Sequence, residues 1–297
     1  MTIKQKLNRE STAGYVFILP FIIGFLAFTI IPIFFSFALS FTSYDVLSAP
    51  KFIGIDNYVQ MFTNDSKFWK SMGVTFYYAL VSVPLRLIFA LLVAMILVRP
   101  SKASGVYRAI YYLPSIMGGS VAVAVLWKRL FASDGAINAL LQLVGIPCKI
   151  AWLSNTSTAI WTLIILAVWQ FGSSMLIFLS GLKQIPVTYY EAATIDGAGK
   201  MKQFFSITLP MLTPVIFFNL VMQLINGFMA FTQCYIITQG KPLDSTLFYT
   251  VYMYQNSFQF NQMGYGCAMA WVMLLIVALL TGVLFKTSNN WVYYASK

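Results

Sequence analysis

Apolar residues in this chain run on in blocks of twenty or more, separated by short polar connections, without the period of a surface helix or a half-buried strand. A helix that crosses a bilayer needs about 20 consecutive, mostly apolar residues. Six blocks meet that requirement: Tyr15–Phe41, Met72–Val98, Ala109–Phe131, Thr158–Leu182, Met211–Thr238 and Gly264–Phe285. Each is read as a spanning helix, because in lipid a segment must pair its own backbone groups. The first block exceeds the h-region of a cleaved signal and lacks an A-x-A exit, so it is expected to span the membrane and direct insertion.

Composition sharpens this picture. Hydrophobic residues make up 59% of the 297 positions and charged residues 9%, against about a quarter charged in a soluble domain. The net charge of +11 does not point to nucleic acid, since the basic residues flank the apolar blocks and form no single tract. The bilayer is the partner they report. Eleven Lys and Arg fall on one set of connections (Lys4, Lys6, Arg9, Arg99, Lys102, Arg108, Lys183, Lys200, Lys202, Lys286, Lys297) and seven on the other. The richer set lies on short connections, where positive charge marks the cytoplasmic side. A multi-pass membrane protein is expected, with both termini and the 183–210 loop in the cytoplasm. With no His, and with Cys148, Cys234 and Cys267 far apart, neither a metal site nor a disulfide framework is expected. The outer connections, 42–71, 132–157 and 239–263, hold aromatics and turn residues but no separate domain, so residues 1–297 read as a single domain.

The loop before the fifth block has its own pattern. Pro186 suits the first turn of a helix, where its missing N–H is not needed. Gly197 suits a left-handed helix end, and a second short helix fits Lys200–Leu209, with Pro210 and Pro214 at the entry to the membrane. Tyr189, Tyr190, Ile195, Phe204, Phe205 and Ile207 place many apolar groups outside the bilayer, which marks either a partner surface or a helix lying on lipid headgroups. Ala192 and Ala193 allow close approach, and Glu191 can pair with a basic residue. Gly197-Ala198-Gly199-Lys200 lacks the spacing and the following Ser or Thr of a phosphate loop, so ATP is not expected to bind here.

Read in order, Glu191-Ala192-Ala193, Gly197, Ile207, Leu209 and Pro210 match the E-A-A-x-x-x-G-x9-I-x-L-P signature. The chain thereby resembles the membrane subunits of bacterial ABC importers. Ile18-Leu19-Pro20, Pro32, Ser40-Phe41-Thr42, Phe52 to Tyr58, Arg108 to Pro114, Trp169-Gln170-Phe171-Gly172 and Thr238 to Pro242 extend the likeness to carbohydrate permeases, in particular the first permease of maltose-type oligosaccharide systems. Lys241 stands where that family often has a second Gly. The expectation is the smaller common form, without the additional amino-terminal helices and large periplasmic insertion of the maltose permease itself, and the resemblance implies a place in the bacterial cell (inner, cytoplasmic) membrane. The resemblance implies the type I ABC importer permease fold: all-α, six transmembrane helices, and a cytoplasmic coupling helix pair between helices 4 and 5. It implies a heterodimer with a second permease, two ABC ATPase subunits that use ATP and Mg, and an extracytoplasmic sugar-binding protein. No cofactor and no catalytic residue is expected in this chain. It also implies that Glu191, Ala192, Ala193, Asp196, Gly197, Phe204, Phe205, Ile207, Leu209 and Pro210 form the ATPase-coupling segment.

Polar groups inside the membrane mark candidate substrate contacts. On a continuous fifth helix Asn219, Gln223, Asn226 and Gln233 share one face about 80° wide, with Ala230 among them. Amides both donate and accept, which suits saccharide hydroxyls and equally suits helix–helix bonding. The resemblance places sugar contacts at Asn226, Gly227 and Ala230. In the fourth helix Gln170 and Ser174 are the candidates, and Trp169 is placed to stack on a ring. Arg86 lies 13 residues before Arg99, about 20 Å along a helix, with no carboxylate at its depth. Backbone carbonyls, the second permease, water or an acidic substrate group could each partner it. A sugar, in particular an oligosaccharide, is the expected cargo. The alternatives are another solute such as glycerol-phosphate or an acidic saccharide, and, from a different class, a stand-alone secondary transporter, which the lack of acidic residues in the helix cores disfavours.

Overall fold

The computed structural model describes residues 10–99, 102–146 and 150–293. Lys4, Lys6, Arg9, Pro147, Cys148, Lys149 and Lys297 lie outside them. Helices α1 (Glu10–Phe25) and α2 (Ile31–Leu39) are joined by a π turn at Leu26–Ile30. A two-residue antiparallel pair, β1 (Thr42–Ser43) with β2 (Lys51–Phe52), leads to α3 (Asp56–Val59). Next come α4 (Ser66–Leu97), α5 (Ser104–Met117), α6 (Val121–Leu130), α7 (Ala136–Leu143), α8 (Thr156–Trp169) and α9 (Gly172–Gln184). The chain continues through α10 (Val187–Ile195), α11 (Lys200–Gln203), a π turn (Phe204–Thr208), α12 (Leu209–Phe228), α13 (Thr232–Ile237), α14 (Tyr249–Tyr254) and α15 (Met263–Trp291).

Four helices, Phe17–Leu39, Ser66–Leu97, Lys200–Ile237 and Met263–Trp291, are long and apolar enough to cross a membrane, and two bent pairs bring the number of spans to six. One pair departs sharply from the straight third span expected over Ala109–Phe131. Helices α5 and α6 meet at 98°. The sequence there is Gly118-Gly119-Ser120, and the Ser120 hydroxyl accepts from the Val123 N–H at 3.3 Å, which starts a new helix in a new direction. The fourth span bends by 41° between Trp169 and Gly172. The fifth is interrupted at residues 229–231, before α13.

Two compact units divide the chain. In the first, built from Met1–Asn64 with Met253–Leu274, the Asn57 side-chain amide donates to the carbonyls of Ser40 and Thr42 at 2.8 and 3.0 Å, and Trp271 packs edge-on against Phe37. Its first helix presents Phe17, Phe21, Phe28 and Phe34 outward, as a lipid-facing surface does.

The second unit, Asp65–Tyr252 with Leu275–Lys297, holds the candidate sites. Its core joins α4 (Val83, Leu87, Ala90, Ala94, Leu97), α9 (Met175, Phe178, Leu179, Leu182) and α12 (Leu212). The helices approach closely where small residues allow it. A Cβ on Gly172 would overlap the Tyr111 carbonyl, and one on Gly227 would already touch Ala79 and Val83. Such contacts set α9 against α5 and α12 against α4.

Candidate functional site

Two features of the second unit carry the chemistry. The first is the 183–210 loop. Pro186 caps α10 rather than opening it, with ψ 132°, and Val187 is the first helical residue. Helix α10 ends in a paired-bond motif: the Ala198 N–H reaches the Ala193 carbonyl at 2.8 Å and the Gly197 N–H reaches that of Thr194 at 3.1 Å. This ending requires a left-handed residue, and Gly197 has φ +76°. Gln203 then ties the turn together by donating to the Thr194 hydroxyl and the Ala198 carbonyl, each at 3.0 Å.

The apolar residues of this loop divide into two groups. Val187, Tyr189, Ile195, Met201 and Phe205 are exposed, Ile195 at 87%. Tyr190 and Ile207 instead pack on the core, and the Tyr190 hydroxyl shares a 2.9 Å hydrogen bond with Thr208. Glu191, Ala192 and Asp196 lie on the exposed side, with Ala193, Phe204, Leu209 and Pro210 half-buried. The second short helix expected at Lys200–Leu209 does not stop at the membrane entry. It runs through the π turn directly into α12, and Pro210, which has no N–H to give, follows that turn immediately.

The second feature is a polar cavity of about 340 Å³ lined from α4, α5, α8, α9, α12 and α13. Arg86, Gln170, Gln223, Asn226, Gly227, Ala230 and Gln233 all line it. Ser174 does not; it is fully buried, and Ser173 takes the lining position. The helix restarts at Gly172 after the bend, and this new start turns Ser173 rather than Ser174 toward the cavity. Asn219 is also fully buried, its amide donating to the Val215 carbonyl at 3.2 Å away from the cavity. Trp169 lines a separate apolar cavity with Phe89 and Ile110, and its ring lies 5.7 Å from that of Trp127. Tyr78, Ser82 and Ser115 complete the polar wall and had no distinguishing sequence signal.

The helix breaks supply the polar groups that hold this wall. At the α8–α9 bend the Gln170 carbonyl accepts from the Arg86 guanidinium and, at 2.8 Å, from the Ser115 hydroxyl. At the α5–α6 bend the Gly118 carbonyl accepts from the side-chain amides of Gln170 at 3.2 Å and Gln233 at 2.8 Å. Those two glutamines are therefore occupied in positioning the bends. The Gln223 carbonyl oxygen is buried without a hydrogen-bond partner, and Asn226 is exposed at the cavity. Arg86 is the one charged side chain in the lining. Among the described residues no cluster of His, Cys, Asp or Glu could hold a metal ion.

Residues 59–292 match the family of binding-protein-dependent transport system inner membrane components. The chain belongs to this family. The permease is 59% identical over 295 residues to the probable ABC transporter permease protein YesP of Bacillus subtilis (strain 168), covering 99% of this chain and 96% of that one. It is 31% identical over 289 residues to the arabinooligosaccharides transport system permease protein AraP of the same organism, covering 95% and 90%. Among solved structures, a bacterial alginate ABC transporter in complex with an alginate pentasaccharide-bound periplasmic protein superposes with a TM-score of 0.82 at 21% identity, over 96% of each chain. The type I importer permease fold accounts for the architecture: a multi-pass membrane subunit, all-α apart from the β1–β2 pair.

Proposed function

We propose that this permease carries a sugar, in particular an oligosaccharide, across the cell membrane in an importer driven by separate ATPase subunits. The observation that carries this reading is the 340 Å³ polar cavity at the helix breaks, a volume suited to a small ligand. Its free amide groups at Gln223 and Asn226 offer donors and acceptors to hydroxyls. Relatives named for oligosaccharide transport support the choice of cargo.

In this reading the loaded binding protein docks on the outer connections. ATP binding closes two ATPase subunits against the exposed face of α10 and the residues after it, with Val187, Tyr189, Ile195 and Phe205 as the apolar contacts and Glu191 as the polar one. That motion turns the cavity, shared with a second permease, toward the outside, and hydrolysis returns it to the inside. Both termini and the coupling loop lie in the cytoplasm, and this chain hydrolyses no ATP itself.

The test is reconstitution. The chain is purified alone and with its second permease, ATPases and binding protein in proteoliposomes. ATP-dependent uptake of labelled saccharide is expected only from the complete assembly. ATP turnover by the single chain, or uptake without the ATPases, would overturn the reading.

A further inference from the structure

The charge of the cavity lining is lopsided. Arg86 contributes a guanidinium, and no Asp or Glu is among the lining residues. The two ion pairs among the described residues, Lys67–Asp244 and Arg129–Asp134, do not involve Arg86. Its one hydrogen bond, to the Gln170 carbonyl, uses one of five donors and cancels no charge. An unpaired cation at membrane depth is costly, and the residues that tolerate it face a water-filled path or a partner charge. The Gln170 carbonyl, freed by the helix bend, instead fixes the guanidinium as a wall of the cavity.

Resting on the sugar-permease reading above, we propose that the cavity admits a saccharide bearing a carboxylate, with Arg86 as its charge partner and Gln223 and Asn226 meeting its hydroxyls. The planar guanidinium matches a carboxylate through two parallel hydrogen bonds. A phosphate dianion would leave charge uncompensated, because the lining holds a single cation. A uronic acid residue carries one negative charge beside several hydroxyls, which is the complement of one Arg and two amides.

The complete importer, reconstituted with its binding protein, is tested with mannuronate, guluronate and galacturonate trimers against their carboxyl-reduced neutral counterparts. At least one uronate trimer is expected to drive uptake and stimulate ATP hydrolysis at least tenfold more than its neutral counterpart. Arg86→Gln is expected to remove that preference at matched assembly, and Arg86→Lys to keep part of it. Transport of the neutral trimers equal to that of the uronates overturns the proposal while leaving the sugar reading intact. An unchanged uronate preference in Arg86→Gln also overturns it, by showing that the preference is set elsewhere in the importer. If Arg86→Gln does not assemble, Arg86→Lys decides, and an undiminished uronate preference in that variant overturns the proposal. Stimulation by no trimer of either kind also overturns the proposal, and the sugar reading itself falls only if a panel of other neutral oligosaccharides fails as well.

Discussion

Replacing Gly197 isolates a backbone effect with unusual clarity. A Cβ built at this position meets nothing within 4 Å, so a side chain there has room. The penalty comes from φ +76° alone. An L-residue in the left-handed region costs about 1–2 kcal/mol, and a β-branched one sits at the upper end because its χ1 freedom is also restricted. If the α10 ending must hold its two closing bonds to present Ile195 and Phe205 together, that penalty is charged against docking. It corresponds to a roughly five- to thirtyfold weaker association with the ATPase subunits. Gly197→Val is expected to lose ATPase co-purification and saccharide uptake in cells with matched membrane levels of the permease. Gly197→Asn, whose short polar side chain visits the left-handed region at little cost, is expected to retain both. Normal uptake and co-purification by Gly197→Val would refute the argument, and so would equal loss in Gly197→Asn.

Three further outcomes are expected. Gln223→Leu with Asn226→Leu should reduce saccharide uptake with assembly intact, each lost hydrogen bond being worth about 0.5–1.5 kcal/mol; unchanged uptake in the double variant would remove this face from the path. Gly172→Val should destabilise the permease by about 1–3 kcal/mol, because the new side chain overlaps the Tyr111 backbone, and thermal melting of the purified complex reads this directly. The Ser48 hydroxyl and N–H, both bonded to the exposed Asp45 carboxylate at 2.7 Å, hold its pKa below the usual value of 3.8. The turn at Asp45–Ser48 is therefore supported above that ordinary value and loses support as pH falls through the lowered one, so amide exchange of a 44–50 peptide, corrected for intrinsic rates, should rise only there. An Asp45→Asn variant should show the faster exchange at neutral pH.

Much of the architecture was legible because lipid imposes a length rule, and the six apolar blocks correspond to four long helices and two bent pairs. The bends were not legible from apolarity, since Met117–Val121 and Trp169–Gly172 lie inside blocks that stay hydrophobic throughout. Gly118-Gly119-Ser120 and Pro114 were the available signals for the first bend, a flexible pair before a capping residue. Helical phasing brought Gln223 and Asn226 to one cavity along an uninterrupted stretch of α12, and Gly227, which the resemblance implied, lines it as well. It misplaced Asn219, because a 100° step says which residues share a face and not which neighbouring helix covers the end of that face. Between Ser173 and Ser174 the sequence offered no geometric signal, because the bend at Trp169–Gly172 decides which of them faces the cavity. Gln233 reached the cavity despite the interruption at 229–231, held there by the Gly118 carbonyl, a contact 115 residues away that local pattern cannot reveal. The coupling loop was more readable, since its left-handed Gly197 and its exposed apolar residues are properties of a local segment.

The unbroken passage from the loop into α12 has a mechanical meaning. From Leu209 to Gln223 the chain forms one helical segment about 21 Å long, continuous in the structure although Pro214 lies inside it. Its base is pinned where Tyr190 meets Thr208, so that point acts as a fulcrum. A tilt of about 10° imposed at the base would sweep the Gln223 end sideways by roughly 4 Å, more than a hydrogen-bond length. If the proposed transport cycle holds, grip on the cargo and engagement of the motor are two ends of the same lever, and a mutation that loosens the helix in between, such as Val215→Gly with Ile216→Gly beside Pro214, should disconnect them without touching either end.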